Sequence, residues 1–368
     1  MSRKKAVLVF GTRPEAVKMC PLILECQKRE DSFETIVCLT GQHAHMLTPV
    51  LDYFQIRPAY NLEVMKDEQS LSGLTAEVLN RLGPVLDWEQ PHILLVHGDT
   101  TTTFAASLAA FYRQIPTGHV EAGLRTYDLH SPWPEEFNRQ CTGLLASYHF
   151  APTEWAAQNL RNEKKDPARI YVTGNTVLDA IRTTIREGYR HPELDWAAGR
   201  RLILVTAHRR ENLGQPMAQM FAAIRRLAAD YPSVRIIYPV HKNPKVRRIV
   251  DEYLRGEERI HLIEPLDVFD FHNFLSRCHL ILTDSGGIQE EACAVRKPVL
   301  LMRNTTERPE GIEAGIVEMV GTEEETIYRA AARLLDSPEH YRRMISGPNP
   351  FGDGFAACRI ADILENIL

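Results

Sequence analysis

Short apolar runs alternate with amphipathic stretches of helical period along the chain, and the alternation occurs in two blocks. Alternation of this kind is typical of strand–helix–strand units and predicts parallel sheets covered by helices. We therefore predict an α/β protein with two doubly wound sheets. In the first block the predicted strands are 6–10, 35–39, 93–97 and 117–120, with helices near 15–28, 74–86 and 102–111; in the second, the strands are 202–206, 235–238, 261–263, 280–283 and 299–302.

The length of 368 residues also predicts two domains, because a single core seldom grows that large. Residues 182–200 are polar and carry two glycines and a proline, so the boundary is expected there, with domains at 1–185 and 186–352. Ligands are expected in a cleft beside it, at the carboxyl ends of the strands.

Composition excludes several classes of protein. The net charge of -5, with acids and bases interspersed, gives no basic face for nucleic acid or for a membrane surface. No apolar run reaches the roughly 18 residues of a spanning helix, and residues 6–10 are too short for a signal-peptide core. Seven scattered cysteines without a CxxC pair predict reduced thiols in a cytoplasmic protein, with neither a disulfide framework nor a zinc site.

The segment GTRPEAVK at 11–18 follows the first predicted strand. A helix that starts there would offer exposed amides to an anion, and Arg13 and Lys18 would add positive charge. The GxGxxG dinucleotide fingerprint is absent after this strand, so no nicotinamide cofactor is expected. The alternative is an ordinary turn followed by a solvated helix face.

Three acidic residues occupy loops at one predicted sheet edge. Asp99 and Glu121 follow strands, and Glu135 stands in the proline-framed segment SPWPEEFNRQ. Acids gathered in a water-poor cleft are candidates for general acid and base chemistry, because burial and like charge separate their pKa values. The alternatives are that Asp99 caps the next helix and that the other two acids are ordinary surface residues.

The second block carries basic residues and glycines after its strands. His208 precedes two arginines, and His241 follows the next strand; each either binds an anionic ligand or is a structural hydrogen bonder. Further on, SGGIQEE at 285–291 leads from a strand into a helix, where bare amides can hold a diphosphate and Glu291 can take a ribose diol. Arg308 can neutralise phosphate, and the alternative is a plain turn before a helix.

Taken together, these segments resemble the non-hydrolysing bacterial UDP-N-acetylglucosamine 2-epimerases nearly end to end. The resemblance implies two Rossmann-like domains of glycosyltransferase-B type facing a cleft, a last helix within 353–368 returning to the first domain, and a homodimer. It also implies reversible epimerisation at C2 through a glycal intermediate, supplying cell-surface polysaccharide synthesis. The segments are GTRPEAVKM at 11–19, HGDTTTT at 97–103, HVEAGLRT at 119–126, SPWPEEFNRQ at 131–140, TAHRREN at 206–212, SGGIQEE at 285–291 and TERPEGIEAG at 306–315.

The resemblance also implies roles for single residues, without a redox cofactor or a metal. It assigns the nucleotide to Arg13, Phe271, Ser285, Gly286, Gly287, Glu291 and Arg308. The catalytic cluster it implies consists of Lys18, Asp99, Glu121, Glu135 and His208, with acid and base not distinguished. An effector site for a second UDP-N-acetylglucosamine is implied at Gln42, His43, Arg209 and His241. At that site His45 and Glu68 replace a glutamine and an arginine of relatives, which predicts weaker effector binding.

Three other activities remain open from the sequence. A glycosyltransferase of the same fold would keep the diphosphate site but need an acceptor, and a hydrolysing epimerase would release free N-acetylmannosamine and UDP. A nucleotide-sugar sensor would bind without turnover, which the clustered acids argue against.

Overall fold

The predicted apolar runs form the strands of two separate parallel sheets in the structure. It is a computed structural model that describes residues 3–41, 44–66 and 69–368, with only the backbone of 44–46. The chain divides into two units, one made of Met1–Ala180 with Gly352–Leu368 and the other of Ile181–Phe351.

The sheet of the first unit is parallel throughout, with strand order β3-β2-β1-β4-β5-β6-β7. Its central strands are continuous apolar runs because helices cover both faces of such a sheet. Residues 6–10 of β1, for example, are fully buried. The strands are β1 (Lys4–Phe10), β2 (Phe33–Leu39), β3 (Tyr60–Asn61), β4 (Ile93–His97), β5 (Thr117–Val120), β6 (Tyr148–Ala151) and β7 (Ile170–Val172).

The second unit repeats the arrangement with strand order β10-β9-β8-β11-β12-β13, again parallel. One apolar core lies between its sheet and the covering helices. The strands are β8 (Arg201–Thr206), β9 (Val234–Pro239), β10 (Ile260–Ile263), β11 (Leu280–Thr283), β12 (Val299–Leu301) and β13 (Val317–Met319).

The helices connect the strands of both sheets. Their bounds are α1 (Arg13–Lys28), α2 (Ala44–Tyr53), α3 (Leu71–Glu89), α4 (Thr101–Phe111), α5 (Glu135–Leu145), α6 (Glu154–Asn162), α7 (Thr176–Thr184), α8 (Pro192–Trp196), α9 (Gln215–Asp230), α10 (Pro244–Leu254), α11 (Val268–Arg277), α12 (Gly286–Ala294), α13 (Pro309–Glu313), α14 (Glu324–Asp336), α15 (Pro338–Ile345) and α16 (Ala356–Ile367).

Each sheet reverses its strand order once, between β1 and β4 in the first unit and between β8 and β11 in the second. In open α/β sheets, ligands bind outside the carboxyl ends of the strands at such a switch point. The chain leaves β1 into the loop before α1, β4 into the loop before α4, β8 into residues 207–209 and β11 into α12. These are the segments in which the sequence placed most of its candidate residues.

The predicted α/β class with two Rossmann-like doubly wound domains is confirmed, and every predicted strand is present within a residue or two of its predicted bounds. The short strands β3, β6, β7 and β13 were not predicted. The last helix, α16, packs against α1 within the first unit. In the described part of the chain no helix is long and apolar enough to cross a membrane.

Candidate active site

Lys18 and Glu121 form a buried ion pair in the first unit. Lys18 lies in the second turn of α1, Glu121 directly follows β5, and the ammonium contacts the carboxylate Oε2. Both residues are more than nine-tenths buried. The alternative in which Lys18 lies on a solvated helix face is therefore wrong.

Two further side chains reach the same carboxylate oxygen. Asn175 donates from Nδ2 to Glu121 Oε2 at 2.8 Å, while its own Oδ1 accepts the amide of Val177 at the start of α7. His97, the last residue of β4, places Nε2 3.7 Å from that oxygen. Burial lowers the pKa of His97 to about 4, so at neutral pH the imidazole is uncharged. Lys18 is thus the cation of this cluster.

The backbone of Glu121 has a left-handed conformation, with φ of +64°. For a residue other than glycine this costs on the order of 1 kcal/mol or more, and it persists where surrounding structure enforces it. Here the turn is fixed by the next residues, since Ala122 donates to Phe150 and Asn159 donates to the carbonyl of Gly123. The residue in this left-handed turn is the one whose carboxylate contacts Lys18.

Asp99 follows β4 in the same unit. It is not the cap of α4, because Thr100 takes that position and accepts the amide of Thr103. The carboxylate of Asp99 instead contacts the guanidinium of Arg139, and Asn138 donates to its carbonyl at 2.9 Å. The capping alternative is therefore wrong, and α5 fixes the position of Asp99.

The adjacent acids at the start of α5 have different surroundings. Glu136 is fully buried and accepts the amides of Thr126 and Tyr127 at 3.0 and 3.1 Å, so it holds the preceding loop. Glu135 begins the helix and is partly exposed. Of the two, Glu135 is the one whose surroundings suit contact with a ligand.

Glu15 binds the two backbone amides that immediately precede α1. Gly11 and Thr12 donate their amides to Glu15 Oε2 at 3.0 and 2.7 Å, and Thr100 donates to Oε1 of the same carboxylate at 2.7 Å. Burial raises the pKa of Glu15. Glu15 thus ties the loop after β1 to the loop after β4, and Arg13 remains as a half-buried cation at the first position of the helix.

In the second unit, buried Asp284 organises the loop after β8. Its carboxylate accepts the amides of His208 and Arg209 and the side-chain amide of Asn212, at 2.9 to 3.1 Å. The rings of His208 and His241 stack with centroids 5.2 Å apart. The two histidines therefore lie side by side at the ends of β8 and β9.

Ser285, Gly286 and Gly287 begin α12 next to Asp284. A Cβ on Gly286 would lie 2.5 Å from Glu307 Oε1, 2.8 Å from Arg308 Nη1 and 3.4 Å from Arg209 Nη2, whereas a Cβ on Gly287 would meet nothing within 4 Å. The helix start is thus packed against arginines on one side and open on the other. Amides at a helix N-terminus beside arginines suit a phosphate or diphosphate.

Arg308 belongs to a buried network of charges. Its guanidinium bonds Glu290 Oε1 at 2.6 Å and also contacts Glu307, which accepts from Arg303 at 3.2 Å. These four residues are at least 95 % buried. The acids fix the orientation of Arg308 beside α12, and the network was not foreseen from the sequence.

Phe271 and Glu291 are brought together by two adjacent helices. Phe271 lies half-buried on α11, and the next residue, His272, places Nε2 3.7 Å from Glu291 Oε2 on α12. The proposed uracil and ribose contacts are therefore neighbours in the second unit.

Among the predicted effector residues, Arg209 follows β8, and its side chain lies against the start of α12. Its Nε donates to the carbonyl of Asp284 at 3.3 Å. Gln42, His43 and Glu68 lie outside the described residues, as does the side chain of His45. Within the described ranges, no group of three or more His, Cys, Asp or Glu side chains could hold a metal ion.

Comparison with known proteins identifies the family. A family model described as UDP-N-acetylglucosamine 2-epimerase matches residues 24–365. The chain belongs to the UDP-N-acetylglucosamine 2-epimerase family. A Bacillus subtilis (strain 168) member of this family, named UDP-N-acetylglucosamine 2-epimerase, is 54% identical over 364 residues, which are 99% of this chain and 96% of that protein.

Solved epimerase structures match both units. The S. aureus MnaA–UDP co-structure has a TM-score of 0.94 at 50% identity, covering 99% of this chain and 96% of that one. The Neisseria meningitidis UDP-GlcNAc 2-epimerase bound to UDP-GlcNAc has a TM-score of 0.93 at 45% identity, covering 98% and 100%. The glycosyltransferase-B type of the fold, expected from the resemblance, is confirmed.

Sequence reasoning missed the residues that support this epimerase site from a distance. Each of these residues contacts a predicted residue that is 40 or more positions away in the sequence. The pairs are Asn175 with Glu121, Asp284 with Arg209, and Arg139 with Asp99. Asp284 is also the sequence neighbour of Ser285. A buried aspartate at the end of β11 could have been suspected, since a carboxylate there must find donors. Asn175 follows β7, a strand that the apolar pattern did not reveal.

Proposed function

We propose that the chain interconverts UDP-N-acetylglucosamine and UDP-N-acetylmannosamine by non-hydrolysing epimerisation at C2. The observation that carries the proposal is the cluster after β4 and β5, where Glu121 is paired with Lys18 and Asp99 is held by Arg139. Relatives named for this activity, and a Neisseria structure bound to UDP-GlcNAc, support the substrate.

The proposed chemistry begins with departure of UDP. The hydrogen at C2 has no neighbouring carbonyl to acidify it, so direct deprotonation is prohibitive. When the C1–O bond breaks and UDP leaves with the electron pair, the cationic C1 acidifies C2–H, and a carboxylate takes the proton while the C1–C2 double bond forms. Delivery of a proton to the opposite face and return of UDP give the 2-epimer.

The first unit supplies the proton-transfer groups in this scheme. Two carboxylates are needed, one for each face of C2, and Asp99, Glu121 and Glu135 are the candidates. Their separate roles stay open. Lys18 lies within contact of Glu121, so it stabilises the ionised form of that carboxylate and can orient it.

The second unit supplies the leaving-group site. The amides of Ser285, Gly286 and Gly287 face the diphosphate, and Arg308 and Arg209 offset its charge as the C1–O bond breaks. In this scheme His208, which adjoins the site, donates to the departing phosphate oxygen. Phe271 packs against uracil and Glu291 accepts from the ribose hydroxyls.

A proton NMR time course on UDP-N-acetylglucosamine in D₂O tests the proposal. We expect UDP-N-acetylmannosamine carrying deuterium at C2, without an acceptor and without an effect of added NAD. Product that keeps its C2 hydrogen would exclude elimination. Free N-acetylmannosamine with UDP would indicate hydrolysis, and no turnover without an acceptor would favour a glycosyltransferase or a sensor.

We further propose that the chain works as a homodimer through the ends of three neighbouring helices of the first unit. Four apolar side chains near these helix ends are 56 to 81% exposed: Trp88 of α3, Phe111 at the end of α4, Tyr112 directly after it, and Leu144 of α5. Because α4 packs against both α3 and α5, we propose that these side chains belong to one interaction surface. Light scattering should report two chains for the wild type and for Met319→Asp, an exposed apolar position of the second unit, but one chain for Leu144→Asp.

The effector site is carried forward as a proposal on the sequence alone. Glu68 where relatives carry an arginine opposes a bound diphosphate. UDP-N-acetylmannosamine alone should therefore be converted measurably, or activation should need more UDP-N-acetylglucosamine than in relatives with the arginine. An absolute requirement for the effector at micromolar levels would contradict this.

A further inference from the structure

His272 is a fully buried histidine between two residues of the proposed nucleoside site. It lies on α11 directly after Phe271, and its ring faces Glu291 on α12. It carries none of the roles assigned so far. A buried imidazole next to a carboxylate that meets substrate suggests that the imidazole controls that carboxylate.

The two ring nitrogens of His272 have different surroundings. Nδ1 lies 2.7 Å from the hydroxyl oxygen of Thr184, which is itself fully buried. Nε2 has no hydrogen-bond partner among the described residues and lies 3.7 Å from Glu291 Oε2. Among the described residues, the ion-pair contact of this ring is with the Glu291 carboxylate.

The Thr184 hydroxyl decides which nitrogen presents a proton to Glu291. It has one proton and two acceptors within reach, Nδ1 of His272 at 2.7 Å and the carbonyl of Ile181 at 3.3 Å. Donation to the nearer acceptor, Nδ1, leaves the neutral ring with its proton on Nε2, facing the carboxylate. A protonated ring would also present an Nε2–H. The remaining tautomer would aim a lone pair at a carboxylate and leave a buried nitrogen unsatisfied, which is the costly arrangement.

The position of Thr184 is itself fixed. Asn273, the next residue of α11, donates to the carbonyl of Thr184 at 2.9 Å and accepts the amide of Arg186 at 3.0 Å. The side chain of Asn273 thus ties the backbone of Thr184 and of Arg186 to α11, which holds the Thr184 hydroxyl in place. The ring of His272 has little freedom to turn.

We infer that His272 is a positioning residue that sets ribose recognition by directing its Nε2–H at the Glu291 carboxylate, an electrostatic contact across 3.7 Å. This rests on the proposed function, in which Glu291 accepts from the ribose diol. One carboxylate oxygen, Oε2, faces the imidazole, so the carboxylate plane is oriented before the nucleotide arrives. A carboxylate oriented in this way gains from two ribose hydroxyls and gains less from one.

Isothermal titration of the full chain with UDP and with 2′-deoxy-UDP tests the inference. His272→Asn keeps a polar group near Thr184 but is too short to reach Glu291, whereas His272→Gln places an amide near the position of Nε2. We expect His272→Asn to weaken UDP binding by roughly 5-fold, because it removes the polarised N–H that faces the carboxylate, and to weaken 2′-deoxy-UDP binding much less. His272→Gln should keep most of the preference for ribose.

A control removes the acceptor. In a Glu291→Gln background, His272→Asn should add nothing to the loss of UDP affinity, because the two residues act as one unit. Equal losses for the two nucleotides, or an unchanged preference in His272→Asn, would overturn the inference. If both His272 variants fail to fold, Thr184→Val is the second test, since it removes the hydroxyl at Nδ1; an unchanged ribose preference there would overturn it as well. A wild type that does not bind UDP would remove the proposed function along with it.

Discussion

Three individual carboxylates carry the proposed chemistry, two of them after β4 and β5 and the third at the start of α5. Replacing Asp99, Glu121 or Glu135 by the matching amide should lower kcat by about 10²-fold or more, because a general acid or base typically contributes a rate factor of that size. UDP affinity, measured by titration calorimetry, should change little, because the proposed UDP contacts other than Arg13 lie in the second unit. Near wild-type rates for all three variants would remove the assignment.

The neighbouring acid Glu136 is the matched control for Glu135. Because Glu136 is buried and accepts two loop amides, Glu136→Gln should lower the midpoint of thermal unfolding, whereas Glu135→Gln should leave it nearly unchanged. The pair separates a loss of chemistry from a loss of structure.

Asn175 contacts Glu121, one of the three carboxylates proposed for proton transfer. Its amide orientation is set because Oδ1 accepts the Val177 amide, which turns Nδ2 toward Glu121. Asn175→Asp keeps the shape and the bond to Val177 but places a second carboxylate against Glu121. Like charge raises the pKa of such a pair, so the acidic limb of the kcat profile should move to higher pH and kcat should fall about 10-fold or more. An unshifted profile would show that Asn175 is only a helix cap.

At the scale of the element, the start of α12 has two glycines with opposite requirements. Gly286 has no room for a Cβ, because Glu307 and Arg308 are held there by the buried charge network. Gly287 has open space and a backbone that alanine tolerates.

Alanine at the two positions should therefore change stability in opposite directions. Gly286→Ala should lower the free energy of unfolding by about 1–3 kcal/mol through overpacking, while Gly287→Ala should raise it by about 0.5 kcal/mol through helix propensity. Urea unfolding without nucleotide measures both. A destabilised Gly287→Ala with a tolerated Gly286→Ala would contradict the packing described here.

The same scale shows what the sequence could and could not predict. Long apolar strands were predicted because parallel strands are buried on both faces, and their ends correctly located the segments after β1, β4, β8 and β11. The strands β3, β6, β7 and β13 have two to four residues, too few for a period to appear. Asn175 and His272 were missed because their roles depend on partners 54 and 19 residues away, which no local pattern encodes.

Across the first unit, three buried histidines lie on adjacent strands of one sheet. His119 and His149 lie opposite each other on the paired strands β5 and β6. Nε2 of His119 is 2.7 Å from the carbonyl oxygen of Gly98, the residue after His97. Burial lowers the pKa of His97 and His149 to about 4 and that of His119 to about 3.

These shifts predict a loss of stability in mild acid. As pH falls from about 6.5 to about 4, the unfolded chain binds protons that the folded histidines exclude, and each histidine contributes about 1.4 kcal/mol per pH unit to the decline. Glu15, whose pKa is raised by burial, acts in the opposite direction. The free energy of unfolding, measured by urea unfolding between pH 7 and 5, should depend less on pH in His149→Gln than in the wild type. Equal slopes in the two proteins would contradict the prediction.

The return of α16 to the first unit has a consequence for the order of synthesis. The apolar side of α16, which includes the buried residues Ile360 and Leu364, packs against α1. The apolar surface of α1 therefore stays exposed to solvent until residues 352–368 have left the ribosome. By then the whole of the second unit has already emerged. A fragment ending at Ala180 would be translated with that apolar surface bare, whereas the same fragment with 352–368 joined through a short linker should fold as a separate body.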